Sequence, residues 1–169
     1  MASTYEKIAS TTLSSTTATV TFSSISGAYT DLVLVLNPIA NTANNSYPYM
    51  RFNSDSTSNY SRMFMRGSGT TASSDRAPNE TLAYLIGGMV AQTNSAFNGI
   101  VHINNYSNTT TYKNWLSRTN SATGTGAGIE ATMGCWRSTS AITNIAITCG
   151  DNSFVSGSTF TLYGILKAA

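Results

Sequence analysis

Short apolar or alternating runs, separated by clusters of Ser, Thr, Asn and Gly, recur along the whole chain. Such runs are typical of β-strands, and the polar clusters are typical of the turns between them. Val20 and Phe22 alternate with threonines, which predicts a strand with one buried face. Residues 32–36 are apolar throughout, which predicts a central strand covered on both faces and ended by Pro38. Further strands are predicted at residues 5–13, 47–52, 62–66, 97–104, 112–118, 129–136, 141–149 and 159–166.

This series of strands, at spacings of about 12 to 15 residues, predicts an all-β fold. We expect an antiparallel β-sandwich of jelly-roll type with about 8 to 11 strands and little or no helix. A closed barrel is the alternative arrangement of such strands. Residues 82–90 fit either a strand with a glycine bulge or a short helix. The length predicts a single domain over residues 1–169, in which residues 1–12 form an N-terminal strand or arm.

The composition excludes several classes of protein. The chain contains 24 Ser, 26 Thr and 16 Asn, whereas Glu, Lys and Gln together number seven and charged residues make up 9%. Helix bundles and coiled coils need long charged and amide side chains on their exposed faces. The formal net charge is +2 and the basic residues are scattered, so we expect no nucleic-acid partner. The hydrophobic fraction of 41% favours a packed core over disorder.

The sequence gives no sign of membrane insertion or export. The apolar runs fall short of the roughly 18 to 20 residues of a membrane span. Residues 1–10 lack the apolar segment of a secretory signal, so we expect assembly in a cytoplasm and no membrane association. In a reducing cytoplasm, Cys135 and Cys149 are expected to be small buried hydrophobic residues rather than a disulfide or a pair of metal ligands.

Residues that could support catalysis are few and scattered. His102 is the one histidine, and it falls on the strand face opposite Val101 and Ile103, without a nucleophile motif in the chain. The seven carboxylates are spread along the sequence, so an acid–base pair for glycoside cleavage would have to form across strands. We therefore predict no catalytic residues, no metal and no cofactor.

Two loops carry partial motifs. Asn53, Asp55 and Thr57 have the spacing of the first ligands of a calcium loop, but Ser58 and Phe64 stand where that loop needs Gly and Glu. We expect a hydrogen-bonded turn there. Residues 124–128 are glycine-rich, as in a phosphate cradle, but the expected order of strand before and helix after is missing. This segment is therefore predicted to be a loop tip.

Arginines and tyrosines concentrate around residues 47–66, where aromatic rings could stack on sugars and guanidinium groups could donate hydrogen bonds. Cross-strand packing of the same side chains is the alternative interpretation. Trp115 and Trp136 are predicted to lie in the core or at a subunit interface. The predicted recognition surface consists of Tyr47, Tyr49, Arg51, Tyr60 and Arg62, with Arg66 beside it.

Several turn-plus-strand patterns occur along the chain, at residues 5–9, 20–25, 29–32, 51–55, 58–61, 136–143 and 156–165. These patterns resemble those of small structural proteins of tailed phages, of the kind common in cyanophages and other aquatic phages. They run along nearly the whole chain and contain no catalytic motif. The resemblance implies a jelly-roll-like sandwich that trimerises on the outer surface of a virion, and it carries over no site residue.

Together these observations predict a non-enzymatic virion protein with a neutral, hydroxyl- and amide-coated surface. The leading hypothesis is a head-decoration, or cement, protein that binds the major capsid protein and copies of itself, as a homotrimer. The second hypothesis is a tail-fibre or receptor-binding knob that recognises host surface glycans. A virion-borne enzyme that cleaves glycans is the third.

Overall fold

The computed structural model describes residues 4–41, 46–86, 97–121 and 127–166. These ranges contain twelve β-strands and no helix, so none of them provides a helix that could cross a membrane. The strands form two antiparallel sheets, of eight and four strands, that pack as a sandwich, which confirms the predicted fold class. The strands are β1 (Tyr5–Thr12), β2 (Thr19–Phe22), β3 (Tyr29–Asn37), β4 (Tyr49–Phe52), β5 (Tyr60–Ser68), β6 (Thr71–Glu80), β7 (Ala83–Tyr84), β8 (Asn98–Asn104), β9 (Lys113–Ser121), β10 (Gly128–Trp136), β11 (Ile145–Thr148) and β12 (Thr159–Leu166).

Eight of the strands pair in a nested series. β1 pairs with β12, β2 with β11, β3 with β8, and β4 with β7. The members of this series alternate between the sheets, which gives the orders β1-β12-β3-β8 and β2-β11-β4-β7. A long antiparallel ribbon wrapped into two sheets has this order, so the topology is that of a jelly roll.

Two hairpins widen one of the sheets. β5 and β6 are inserted between β4 and β7, and β9 and β10 are inserted between β8 and β11. Both hairpins continue the first sheet beyond β8, in the order β8-β9-β10-β5-β6. The smaller sheet has four strands, so the larger sheet extends beyond it.

Most strands lie where the apolar runs predict them, and β3 ends at Asn37, directly before Pro38. β6 was not predicted, because its sequence is polar and contains Pro78. These features suit its place at the edge of the larger sheet, where charge and proline discourage pairing with another chain. Of residues 82–90, Ala83–Tyr84 form β7, and residues 87–90 lie outside the described ranges.

The core lies between the sheets and is built from the inward side chains of both. Phe52, Tyr60, Trp115 and Trp136 form its aromatic cluster, with ring centroids 5.7 to 6.3 Å apart. Both tryptophans are almost fully buried, which confirms their predicted place in the core. The aromatic cluster joins β4 of the smaller sheet to β5, β9 and β10 of the larger sheet.

The prediction that β3 is covered on both faces is only partly correct. Leu32, Leu34 and Leu36 face the core and are buried. On the outer face, Val33 is 5% exposed, between His102 and Tyr163 on the neighbouring strands, but Val35 is 39% exposed. The outer surface of the larger sheet is therefore apolar and open at this point.

Candidate functional site

The outer surface of the larger sheet is apolar over β8, β9, β10 and β5, and we call this surface the apolar face. Of the eleven large apolar residues exposed in the described ranges, seven lie on it or directly beside it on β3. Exposed aliphatic side chains are thus concentrated on one side of the sandwich. They are Val35, Met63, Met65, Ile100, Leu116, Ile129 and Met133.

Strand register brings these side chains together in cross-strand rows. One row consists of directly paired residues from β8 to β6, namely His102, Leu116, Met133, Met63 and Arg76. The next row, from β3 to β6, consists of Val35, Ile100, Arg118, Ala131, Met65 and Ser74. Side chains paired in this way lie within contact distance, so the apolar face is continuous across the strands.

Two grooves indent the apolar face. The larger groove, of about 970 Å³, is lined by side chains that include Met65, Ile100 and Ile129. The smaller groove, of about 600 Å³, is lined by Met63, Met133 and the neighbouring polar and small residues of β5, β6 and β10. The methionines are flexible and polarisable, so the apolar face can adapt its shape to a contacting surface.

The charges on the apolar face and its β6 margin are positive. Arg118 projects from β9 and Arg76 from β6, and Arg118 Nη2 lies 3.2 Å from His102 Nε2. Because a guanidinium group only donates, His102 Nε2 accepts this hydrogen bond. The described parts of β8, β9, β10, β5 and β6 contain three carboxylates, Asp75, Glu80 and Glu130. All three belong to the opposite side of the sheet.

The outer surface of the smaller sheet is different in character. Its outward positions on β2 and β11 hold Thr19, Thr21 and Thr148, and the Thr19 and Thr148 hydroxyls are 3.0 Å apart. On β4 and β7 the outward residues are Tyr49, Arg51 and Tyr84. The two faces of the sandwich are therefore chemically distinct, one aliphatic and one polar and aromatic.

The structure does not bring the predicted recognition surface together. Tyr60 is fully buried, and its hydroxyl accepts a hydrogen bond from Phe52 N at 3.1 Å and donates to Asp55 O at 3.2 Å. Burial, reinforced by the charge of Asp55, raises the pKa of Tyr60 to about 12. The prediction that Tyr60 is part of an exposed surface is wrong, because β5 turns this residue into the aromatic cluster of the core.

Arg62 is engaged by groups of the chain itself. It forms ion pairs of 3.3 Å with Asp75 and with Glu80, and its guanidinium lies 4.7 Å from the centre of the Tyr84 ring. Its side chain is 14% exposed, so little of it is open to a ligand. The cation–π and ion-pair contacts instead hold β5, β6 and β7 together.

Tyr49 and Arg51 are the predicted recognition residues that remain side by side at the surface. The Arg51 guanidinium lies 5.2 Å from the centre of the Tyr49 ring, and Tyr49 pairs with Tyr84 across β4 and β7. Tyr47, 38% exposed, precedes β4. The open surface is thus a small tyrosine–arginine patch of Tyr49 and Arg51 on the smaller sheet. It is bordered by Tyr84, which is half-buried with its ring against Arg62.

The segment with partial calcium-loop spacing is a hydrogen-bonded turn, as predicted. Asp55 Oδ1 accepts from Thr57 N at 2.9 Å, and Asp55 Oδ2 accepts from Trp136 Nε1 at 2.7 Å and from Asn59 Nδ2 at 3.1 Å. Burial opposes ionisation of Asp55, but these hydrogen bonds outweigh it and lower its pKa to about 2. Among the described residues, no cluster of His, Cys, Asp and Glu could hold a metal ion.

Glu130 lies far from Asp55. It is buried on the inner face of β10, directly opposite Arg66 of β5, and accepts a hydrogen bond of 2.6 Å from Thr132. Trp136, which contacts Asp55, is six residues further along the same strand, or about 20 Å away. The two carboxylates are therefore more widely separated than the roughly 5 to 10 Å of a glycosidase pair.

Both cysteines are free thiols, but only Cys149 is buried as predicted, and the prediction that Cys135 is a buried residue is wrong. Cys149 is fully buried, near the hydroxyl of Ser46. Cys135 is half-buried and lines the smaller groove of the apolar face. Burial raises the pKa of both thiols. Of the glycine-rich segment, residues 124–126 lie outside the described ranges, and Gly128 opens β10.

The apolar face was not predicted, although a signal for it is present in the sequence. Met63, Phe64 and Met65 are consecutive apolar residues, as are Trp115 and Leu116. In a strand, consecutive apolar residues point to opposite faces, so such a run indicates apolar surface on both sides of the sheet.

No protein-family model matches this chain, and a comparison with curated proteins finds no match.

Proposed function

We propose that this chain is a non-enzymatic structural protein of a phage virion. In this proposal it sits on the outer surface of the particle as a head-decoration, or cement, protein that stabilises the capsid. The observation that carries the proposal is the apolar face, on which aliphatic side chains are exposed in an otherwise charge-poor chain. A continuous exposed apolar patch fits a protein that works while covered by another protein.

The rest of the surface supports a role as a building block. Ser, Thr and Asn have short side chains, which lose little conformational entropy when they enter a contact. A surface with few charges also makes contacts that depend little on ionic strength, which suits a released particle. The proposed partners are copies of this chain, as a homotrimer, and the major capsid protein. Repetition over many equivalent sites multiplies contacts that are individually weak.

Copy number on purified virions tests this proposal. Quantitative mass spectrometry should find this chain in multiples that match the capsomers, and heads stripped of it should rebind the purified protein and regain resistance to heat. A small number of copies that fractionates with tails would contradict the cement proposal and favour the second candidate.

The second candidate is a tail-fibre or receptor-binding knob that recognises host surface glycans. The tyrosine–arginine patch favours it, because an aromatic ring beside a guanidinium group can stack on a sugar and donate hydrogen bonds to it. Retention of the protein on immobilised host polysaccharide, lost in Arg51→Ala, would support this candidate. Tyr112→Ala is the matched control, since Tyr112 is exposed outside the patch.

The proposal that the chain is not an enzyme is also open to a direct test. We expect no release of reducing sugar from isolated host polysaccharide. Turnover that disappears in Glu130→Gln or Asp55→Asn, with melting curves showing that the variant is folded, would overturn this part of the proposal.

A further inference from the structure

We propose that the apolar face is covered by a second copy of this chain, so that the protein is a homo-oligomer through this surface. The inference names one partner of the proposed virion protein, but it rests on the geometry of the apolar face. A test of this inference therefore does not depend on where the protein is located.

The area of the apolar face is the first argument. The fractional exposures of the seven apolar residues correspond to on the order of 600 Å² of accessible surface, which is at the upper end of the largest patch found on monomeric proteins. A stable interface between two proteins covers about 800 Å² on each partner. Exposed polar residues at the margin of the face, which include Asn98, Asn120 and Ser74, add to this area. The face thus has the size of a complete interface.

The shape and chemistry of the apolar face suit contact with itself. It belongs to a sheet, and two sheets pack face to face with their aliphatic side chains interdigitated. Met63, Met65 and Met133 lie near its middle, and their flexible side chains can fill the grooves of an opposing copy. Aliphatic side chains need no specific partner, so an identical surface is sufficient. Such a two-fold contact joins the copies in pairs and is separate from the contact that would form the proposed homotrimer.

Charge also permits self-association. The net charge of +2 on 169 residues makes repulsion between copies weak. The apolar face brings no outward carboxylate from its described strands into the interface, so no buried acid needs neutralisation. Arg76 lies on the edge strand β6, where its long stem lets the charge reach solvent at the rim. Arg118 lies within the face, paired with Ile100 and Ala131, and its guanidinium donates a hydrogen bond to His102.

The edges of the larger sheet are less suited to the contact. β6 carries Asp75, Arg76 and Pro78, and β1 is interrupted by a bulge between Lys7 and Ala9. Such features discourage the addition of a further strand. These features therefore favour association through the face of the sheet and not through an edge.

Sedimentation equilibrium of the purified full chain tests this inference. The wild-type protein should assemble at concentrations up to on the order of 100 μM, and Met133→Glu should weaken the assembly at least about tenfold. Met133 is chosen because it is 52% exposed and pairs with Leu116 and Met63 at the centre of the apolar face. Thr21→Glu is the control, because Thr21 is exposed on the outer surface of the smaller sheet, and it should assemble as the wild type does.

A second measurement uses the wild-type chain alone, in case Met133→Glu fails to fold. Cys135 lines the smaller groove, so its alkylation should slow as protein concentration rises and the face becomes covered. The inference would be overturned if the wild-type protein stayed monomeric. It would also be overturned if the protein assembled but Met133→Glu did not weaken the assembly and Cys135 did not become protected as concentration rose. Failure to find the chain on a virion would leave these results unchanged and would count against the proposed function.

Discussion

Trp136 Nε1 donates a hydrogen bond of 2.7 Å to Asp55 Oδ2, and this bond joins the loop between β4 and β5 to the end of β10. β4 belongs to the smaller sheet and β5 and β10 to the larger sheet, so the loop crosses from one layer of the sandwich to the other. The same carboxylate also accepts hydrogen bonds from Thr57 and Asn59. Asp55 therefore fixes the point at which the chain changes sheets.

Asp55→Asn should lower the free energy of unfolding at neutral pH by about 1–2 kcal/mol, after allowance for partial solvent screening. The folded-state pKa of about 2 is below the ordinary value of 3.8, so the stabilisation by Asp55 is present above about pH 4 and is lost as pH falls toward 2. Urea unfolding followed by tryptophan fluorescence at pH 7 and pH 3 checks this. The variant should show the smaller loss on acidification, and Asp151→Asn, at an exposed site, is the control.

Tyr60→Phe should lower the free energy of unfolding at neutral pH by about 1–2 kcal/mol, because it leaves the buried Phe52 N–H without its acceptor. It should also flatten the alkaline limb of the stability curve. Tyrosine ionises near pH 10 when unfolded, whereas Tyr60 keeps its proton until about pH 12, so its contribution is lost as pH rises between these values. Denaturant titrations from pH 8 to 11 measure this, with Tyr112→Phe as the control. An unchanged alkaline limb would show that Tyr60 does not hold its proton in this way.

Gly134→Ala should destabilise the fold by about 1–3 kcal/mol. A Cβ at this position would lie 2.1 Å from Trp115 Cζ2, and the indole ring is held in place by Phe52 and Tyr60. Gly67→Ala on the neighbouring strand is the matched control, because its nearest contact would be an ordinary 3.8 Å to Ile129. Thermal unfolding of the two variants in dilute solution compares them, and equal melting temperatures would contradict the packing described for Trp115.

In native protein at low concentration, where the apolar face is open, one thiol should react with a disulfide reagent. The other should stay protected until the chain unfolds. Cys135 is the reactive one, since Cys149 is fully buried. Burial raises the pKa of Cys135, so its reaction rate should increase steeply with pH. The melting temperature should not change with dithiothreitol. A marked decrease with reductant would show that the two cysteines are bridged.

The fold class could be predicted from the sequence because each strand carries its own period-two pattern. Val20 and Phe22 face the core as predicted, and so do Ile145 and Ile147. The nested pairing could not be derived in the same way, because it joins strands as distant as β1 and β12. β6 could not be predicted, because an edge strand with few apolar residues shows no period-two alternation of apolar and polar side chains.

The prediction of the recognition surface was wrong for a related reason. Tyr49 and Tyr60 are close in sequence, but the loop between β4 and β5, which Asp55 holds in place, crosses from one sheet to the other. The two tyrosines therefore lie in different sheets. Tyr49 stays at the surface of the smaller sheet, and Tyr60 enters the core from the larger sheet. The apolar face has the opposite property, since its members are distant in sequence and meet only through strand register. Proximity in sequence is therefore a poor guide to shared surfaces in a jelly roll.

Electron microscopy of the intact virion tests the central claim most directly. A reconstruction should show this jelly roll at repeated positions on the outside of the head, with the apolar faces of neighbouring copies packed against each other. Density confined to the tail, or copies on the head whose apolar faces remain open to solvent, would contradict the account.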